Sequence, residues 1–239
     1  MRKFILVIVL LICGEGTSFI FSQSEVVTIR ENLIAQFSKV EDFSVDVQLS
    51  LEMTAIRMPR KKIKVYFKQP DKVKIETSGF AMVPQYGLPL APETILNTVS
   101  DMILVTNPPS NEGYVRLRGE LQIMDENRHI WNFSRKQRRS LSIDILVDTQ
   151  RWLITEYDVF RGEDKIIHVQ TQFTEPVSGI FLPEETMITI QIPTDLMDEL
   201  PNMPFEEEPT SQDGNVIMSF KNYQLNQGLD GSFFEEEAE

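Results

Sequence analysis

The feature that most restricts the fold of this chain is a long succession of short segments in which apolar and polar residues alternate. The clearest runs from Phe43 to Met53, where every second residue is apolar. A period of two is typical of a β-strand with one buried face. Nine further segments have strand length: Lys61–Lys68, Val73–Ser78, Tyr114–Ile123, His129–Ser134, Leu141–Val147, Trp152–Phe160, Lys165–Phe173, Glu185–Ile192 and Asn215–Tyr223. Short turns separate most of them, which predicts a sheet built from hairpins.

Only two segments have a helical period. The first has Val26, Ile29, Leu33 and Phe37 on one face, with Ser24 or Thr28 as a candidate cap. The second spans Pro92–Met102, where Ile95, Leu96, Val99 and Met102 recur at helical spacing after an early proline. Two helices beside about ten strands indicate an α+β fold, with a large antiparallel sheet that has to curl.

The N-terminus has the pattern of an export signal. Basic Arg2 and Lys3 precede an apolar run from Phe4 to Cys13, which is too short to span a bilayer. We predict a signal peptide at 1–22 and a single domain at 23–239, with an acidic loop at 193–214 and an acidic tail at 234–239. Lipid attachment at Cys13 is the less favoured alternative, because Ile12 is bulky where a lipoprotein box has a small residue.

Composition excludes several classes of function. Lys and Arg total 23 against 36 Asp and Glu, and a net charge of -13 opposes binding to nucleic acid. One cysteine and two histidines, His129 and His168, supply no pattern of metal ligands. The sequence also has no nucleophile elbow, P-loop or zinc-protease motif. We therefore expect no enzyme, no metal and no cofactor.

A curled sheet with an apolar concave face has to cover that face. Either the two helices and the apolar segment Phe80–Pro89 fill the concavity completely, or they leave a cavity for an apolar ligand. The sequence pattern leaves these two alternatives open.

Two segments resemble the LolA-type lipoprotein carriers. Lys61–Lys74, with the apolar strand Ile63-Lys64-Val65-Tyr66-Phe67 and the turn Gln69-Pro70-Asp71, resembles the second and third strands of that family. Phe220–Leu229, followed by Phe233, resembles its closing strand. The resemblance implies a LolA/LolB-like fold, in which the sheet forms an unclosed β-barrel and the short inserted helix is a lid.

The resemblance also implies a function. It is that of a periplasmic carrier or chaperone that binds acyl chains of lipoproteins or lipids on the concave face and moves them towards the outer membrane. Transfer proteins of the inner and outer membranes are the candidate partners, and a monomer is expected. The candidate ligand-binding residues are apolar: Val45, Val47, Leu49, Leu51, Ile63, Val65, Phe67, Val73, Ile75, Phe80 and Met82.

One position departs from the family. The carriers have an arginine before the proline of this turn, where it helps to hold the lid closed, and here the residue is Gln69. Gln69 is the candidate lid latch, with hydrogen bonds in place of a charge. The alternative function is a non-catalytic envelope sensor or protein-interaction domain with the same fold.

Overall fold

The computed structural model describes residues 16–53, 56–57, 60–77, 91–105, 112–122, 141–192 and 212–235. The described residues form one antiparallel sheet and three helical segments. The strands are β1 (Asp42–Met53), β2 (Ile56–Arg57), β3 (Lys61–Lys68), β4 (Lys72–Thr77), β5 (Val99–Leu104), β6 (Tyr114–Leu121), β7 (Leu141–Asp148), β8 (Leu153–Arg161), β9 (Asp164–Val177), β10 (Ile180–Ile192) and β11 (Gln212–Leu225). The helical segments are α1 (Gly16–Phe37), α2 (Pro92–Leu96) and a terminal 3-10 helix, Gly231–Phe234.

The strands follow the order β4-β3-β1-β11-β10-β9-β8-β7-β6-β5, and β2 pairs with the end of β1. Most neighbours are therefore consecutive in the chain, as expected for a meander of hairpins. The end strands β4 and β5 do not pair with each other within the described residues. The sheet curls without closing, and the predicted α+β fold with an unclosed barrel is confirmed.

Helix α1 lies across the concave face of the sheet. Val26, Ile29 and Leu33 are buried with residues of β5 to β9, whereas Phe37 is buried with residues of β1, β3, β10 and β11. Residues spaced by three and four share one face of a helix, so a single apolar stripe contacts both halves of the sheet. The core consequently has two clusters bridged by α1.

The first and last long strands of the domain are adjacent. β1 pairs with β11 from Phe43–Leu225 to Met53–Gly214. Asp42, which is 1% exposed, fixes the end of this pair: its carboxylate accepts hydrogen bonds from the backbone N–H groups of Gln227 (2.8 Å), Gly228 (2.9 Å) and Leu229 (3.1 Å). Three donors satisfy most of the acceptor capacity of this buried carboxylate.

The segment after β11 covers the outer face of the open edge. The ammonium groups of Lys68 and Lys74 donate to the carbonyl oxygens of Leu229 (2.6 Å) and Phe233 (2.8 Å). The ring of Phe233 also packs edge-on against Tyr66, with 4.8 Å between centroids. This cover shields the outer face of an edge strand, which otherwise invites aggregation.

The predicted helix over Pro92–Met102 is wrong in its second half. α2 ends at Leu96, and residues 99–104 form β5 instead. The pairing of β5 with β6 shifts register between Ser100 and Ile103, and Asp101 has φ of 50°. A bulge interrupts the period of two. The spacing of Val99 and Met102 therefore imitates a helix although both belong to a strand.

The other predicted elements have mixed outcomes. Of the nine strands predicted after the first, eight are present in the described residues. Most have small changes of boundary, and β9 and β10 are longer than predicted. The predicted strand His129–Ser134 lies outside the described residues. α1 begins at Gly16, before either predicted cap, and runs past position 22, so the cleavage site stays a prediction. Among the described helices, none combines the length and apolarity of a membrane span.

Candidate functional site

The concave side of the sheet is not completely filled. A groove with a cavity volume of about 50 Å³ lies between α1, α2 and strands β8 to β10. We call it the inner groove. Its lining residues are Leu33, Gln36, Phe37, Ala91, Pro92, Ile95, Trp152, Leu153, Ile154, Glu156, Tyr157, Thr171, Phe173, Phe181 and Pro183. Most of these side chains are apolar. The cavity volume is well below the roughly 300–1,000 Å³ of a typical small-molecule site, so a ligand has to widen the groove to enter it.

The inner groove exists because two neighbouring strands separate. β8 and β9 pair only from Glu156–Gln170 to Arg161–Asp164. Beyond Gln170, residues 171–177 of β9 pair with β10 alone. The start of β8 and this extension of the β9–β10 hairpin therefore form opposite sides of a gap in the ladder.

Helix α1 holds the tip of that hairpin. The side-chain amide of Gln36 donates a hydrogen bond to the carbonyl oxygen of Gly179 at 2.9 Å. The N–H of Gly179 in turn donates to the carboxylate of Glu175 at 2.6 Å. Gly179 has φ of 78°, a conformation that favours glycine. The tip is thus tied to the helix that forms one wall of the inner groove.

The turn before β8 positions an aromatic wall residue. Trp152 lines the groove and has φ of 56°, which is uncommon for a large side chain. The carboxylate of Asp148 accepts hydrogen bonds from the N–H groups of Gln150 (2.9 Å) and Arg151 (3.1 Å) and pairs with the Arg151 guanidinium at 2.7 Å. These bonds stabilise the turn that keeps Trp152 in a strained backbone conformation.

Helix α2, the predicted lid, is fastened to α1 by an arginine. The guanidinium of Arg30 donates to the carbonyl oxygen of Leu96 at 3.1 Å and to the side-chain oxygen of Asn97 at 2.6 Å. Leu96 itself is fully buried in the core. Sequence reasoning missed Arg30, and its only signal is a lone basic residue beside the apolar stripe of α1.

Two ionisable groups stand at the wall of the inner groove. Burial raises the pKa of the Tyr157 phenol to about 12, so the side chain is neutral at physiological pH. Glu156 has no cationic partner within 4.0 Å among the described residues. The groove therefore contains an apolar surface with one carboxylate at its edge.

The outer face of strands β6 to β9 carries an ion network. The carboxylate of Asp158 pairs with Lys165 at 2.9 Å and contacts His168 Nδ1 at 2.7 Å. The guanidinium of Arg118 donates two hydrogen bonds to the carboxylate of Asp144, at 2.6 and 2.7 Å. The Asp144 contact raises the pKa of Arg118. Glu156, Asp158 and His168 place ligand atoms within 4.8 Å of one another. Lys165 already neutralises Asp158, so the arrangement is that of an ion network.

The predicted ligand-binding residues do not line the inner groove. Five of them share the core cluster under the C-terminal end of α1, where they are at most 4% exposed: Val45, Val47, Ile63, Val65 and Phe67. Leu49 and Ile75 lie partly buried at the margin of that cluster, and Leu51 is partly buried on β1. Val73, 38% exposed, lies opposite Phe67 at the open edge. Their role in binding stays a prediction.

Three further predicted residues have separate outcomes. Phe80 and Met82 lie outside the described residues. The backbone N–H of Gln69 donates to Glu41 O at 2.8 Å, whereas its side-chain nitrogen is buried and has no hydrogen-bond partner in the described part of the chain. The latch role of Gln69 therefore stays a prediction.

Comparison with solved structures identifies the fold. A domain assigned as an outer membrane lipoprotein-sorting protein from Vibrio parahaemolyticus has a TM-score of 0.57 at 8% identity, and the match covers 87% of this chain and 95% of that chain. A DUF1329 family protein from Desulfovibrio piger has a TM-score of 0.51 at 10% identity, with 87% and 97% covered. No protein-family model and no curated protein matches the sequence. The chain has the LolA-like fold that its sequence predicts.

Proposed function

We propose that this protein is a periplasmic carrier that binds acyl chains of lipids or lipoproteins in the inner groove. The observation that carries the proposal is the groove itself, an apolar space between helices and sheet at the gap between β8 and β9. The fold supports the proposal because the Vibrio structure is assigned to lipoprotein sorting. The predicted signal peptide at 1–22 supports the periplasmic location.

The energetics of such binding are favourable. At about 0.8 kcal/mol per buried CH2, a chain of sixteen carbons contributes roughly 12 kcal/mol before the costs of binding are subtracted. Immobilising the chain and ordering the groove remove a large part of that figure. The cavity volume is about 50 Å³, so only the part of the chain that widens the groove and contacts its apolar walls contributes to the affinity.

A brominated acyl chain tests the proposal directly, because bromine quenches tryptophan fluorescence on contact. The chain has two tryptophans, and Trp131→Phe leaves Trp152 in the groove wall as the single reporter. We expect a palmitoyl ligand brominated in mid-chain to quench Trp152 saturably, at about one ligand per protein. Absence of saturable quenching contradicts the carrier proposal.

Two isoleucine variants locate the binding site. Ile95 lines the groove, and Ile95→Glu places a charge against the ligand chain, so the affinity should fall more than about tenfold. Ile103→Glu is the matched control, because Ile103 is 42% exposed on β5 and does not line the groove. Ile95→Trp fills the groove with an uncharged side chain and should also lower the affinity. Thermal unfolding of each variant shows whether a loss of affinity is caused only by misfolding.

The alternative function, a non-catalytic envelope sensor or protein-interaction domain, makes the opposite prediction. A domain of this class that binds a protein partner has no need to take up a free acyl chain, and it leaves Trp152 unquenched by such a ligand. Equal behaviour of Ile95→Glu and the unsubstituted protein favours this alternative.

A further inference from the structure

A second and larger cavity lies on the outer face of the sheet, and we call it the outer pocket. Its lining residues are Tyr114, Leu146, Arg151, Thr155, Glu156, Gln170, Thr171, Gln172 and Phe173. Leu146 lies between the core residues Ile145 and Val147 on β7, so its side chain projects from the face away from α1. The cavity volume of the outer pocket is about 450 Å³, which is within the roughly 300–1,000 Å³ of a typical ligand site.

The register of three strands brings the side chains of the outer pocket together. Leu146 of β7 pairs with Glu156 of β8, and Glu156 pairs with Gln170 of β9. Directly paired residues project from the same face of a sheet, so these three side chains stand side by side. Gln172 lies two residues after Gln170 and shares its face, beyond the point where β8 and β9 separate. Polar groups of neighbouring strands consequently converge on one cavity.

The turn before β8 supplies the cationic group of the outer pocket. The Nε of Arg151 donates to the carboxylate of Asp148 at 2.7 Å, and this hydrogen bond raises the pKa of Arg151, with smaller contributions from Tyr114. The carboxylate balances the charge of the guanidinium, which retains N–H donors beyond the one that Asp148 uses. Arg151 therefore offers hydrogen bonds from a fixed position without offering a free positive charge.

The charges and polarity of the outer pocket restrict the class of ligand. The guanidinium of Arg151 is paired with Asp148, and Glu156 adds a carboxylate to the wall. Both features oppose phosphorylated and carboxylated ligands. An acyl chain is disfavoured as well, because seven of the nine lining residues have polar side chains, which lose hydrogen bonds to water when an apolar chain covers them. An uncharged ligand with many hydrogen-bonding groups suits the outer pocket best.

We infer that the outer pocket binds an uncharged pyranose sugar, a function separate from acyl binding in the inner groove. The side-chain amides of Gln170 and Gln172 make no hydrogen bond within the described part of the chain, and each presents a donor beside an acceptor. That arrangement matches neighbouring sugar hydroxyls, which also donate and accept. Tyr114 and Phe173 supply aromatic rings, whose faces suit the C–H groups on one side of a pyranose ring.

Saturation-transfer NMR of the full chain tests this inference with four probes: methyl glucoside, methyl N-acetylglucosaminide, methyl glucuronide and putrescine. We expect at least one of the two uncharged glycosides to bind saturably with a Kd below about 10 mM, and methyl glucuronide to bind at least about fivefold more weakly. Gln172→Ala removes one amide and should weaken glycoside binding at least about fivefold. Gln191→Ala is the matched control, since Gln191 is also exposed on a strand but lines neither cavity.

Two further variants separate this site from its alternatives. Glu156→Gln should raise the affinity for methyl glucuronide, because it removes the carboxylate that repels an anion. Ile95→Glu changes only the inner groove and should leave glycoside binding unchanged, so the sugar site and the acyl site stand or fall independently.

The results that overturn the inference are distinct. It fails if neither uncharged glycoside binds saturably, or if Gln172→Ala and Gln191→Ala bind the glycosides equally well. Binding of putrescine alone, lost in Glu156→Gln, would show that the outer pocket is a site for organic cations and would also overturn it. A preference between the two uncharged glycosides supports the inference and shows whether the natural ligand is a plain hexose or an amino sugar.

Discussion

Substitution of Asp42 by asparagine tests how the first and last strands are held together. The carboxylate is buried and accepts three backbone N–H hydrogen bonds from residues 227–229. Asparagine has almost the same shape but only one acceptor oxygen, and its NH2 group must face at least one of these N–H donors. The substitution therefore removes at least one hydrogen bond to a charged group and leaves a buried donor unsatisfied.

The magnitude follows from that loss. A hydrogen bond to a charged group contributes about 1.5–3 kcal/mol, so Asp42→Asn should lower the free energy of unfolding by about 2–4 kcal/mol. That is a large part of the roughly 5–15 kcal/mol that stabilises a domain. The turn at 227–229 also leads into the terminal 3-10 helix, so its cover over β3 and β4 should loosen as well.

Urea unfolding followed by far-UV circular dichroism measures the effect. With a slope of about 2–3 kcal/mol per molar urea, the midpoint should fall by roughly 1 M. Asp46→Asn is the control, because the Asp46 side chain is 50% exposed and its nearest cation, Lys64, is 3.8 Å away. An exposed pair of this kind contributes less than about 1 kcal/mol. A midpoint for Asp42→Asn within about 0.2 M urea of that of the unsubstituted protein, equivalent to about 0.5 kcal/mol, would refute the reasoning.

Three further predictions concern packing, pH and the lid. A Cβ at Gly119 would lie 2.7 Å from the carbonyl oxygen of Ser100 in the bulge of β5, so Gly119→Ala should lower the free energy of unfolding by about 1–3 kcal/mol. Urea titration measures this change, and an unchanged midpoint would show that β5 shifts to accept the methyl group at little cost. The Tyr157 pKa is about 12 in the folded protein against 10.0 for an ordinary tyrosine, so stability is lost as pH rises from about 10 to 12, by about 1.4 kcal/mol at pH 11. Burial also raises the pKa of Tyr223, so Tyr157→Phe should remove only the share of the loss that is due to Tyr157, and an equal loss in both proteins would contradict the prediction. Arg30→Ala removes two hydrogen bonds between α1 and the end of α2, so amide hydrogen exchange at Asn97 and its neighbours should accelerate about tenfold, while exchange in β7 stays constant. Equal protection of α2 in both proteins would show that Arg30 does not stabilise its position.

Local signals in the sequence determine most of the fold. Alternation with a period of two marks the strands, and the spacing of Val26, Ile29, Leu33 and Phe37 marks the face of α1 that is buried. Both signals depend only on backbone geometry over a few residues. Turn residues between short strands then favour antiparallel neighbours, and a sheet of about ten strands has to curl. That the sheet stays unclosed is implied only by the resemblance of two segments to the carrier family.

Local signals fail where pairing changes within an element. The bulge at Ser100–Ile103 gives β5 a helical spacing of apolar residues, although the segment is extended. The alternation in β8 and β9 likewise continues past Glu156 and Gln170, where their mutual pairing stops. Whether two strands stay paired depends on contacts with the rest of the molecule, which a sequence period does not record.

The candidate site illustrates the same division. The sequence indicates apolar faces in β1 and β3, and these do face the concave side, but Phe37 of α1 packs over them and shares their core cluster. The space that remains lies at β8–β10, where Gly179 at the hairpin tip accepts a hydrogen bond from Gln36 and β8 and β9 are no longer paired. By itself the sequence determined which faces are apolar. Only the tertiary structure decided which of those faces the helix covers, because that depends on where α1 crosses the sheet and where the strands separate.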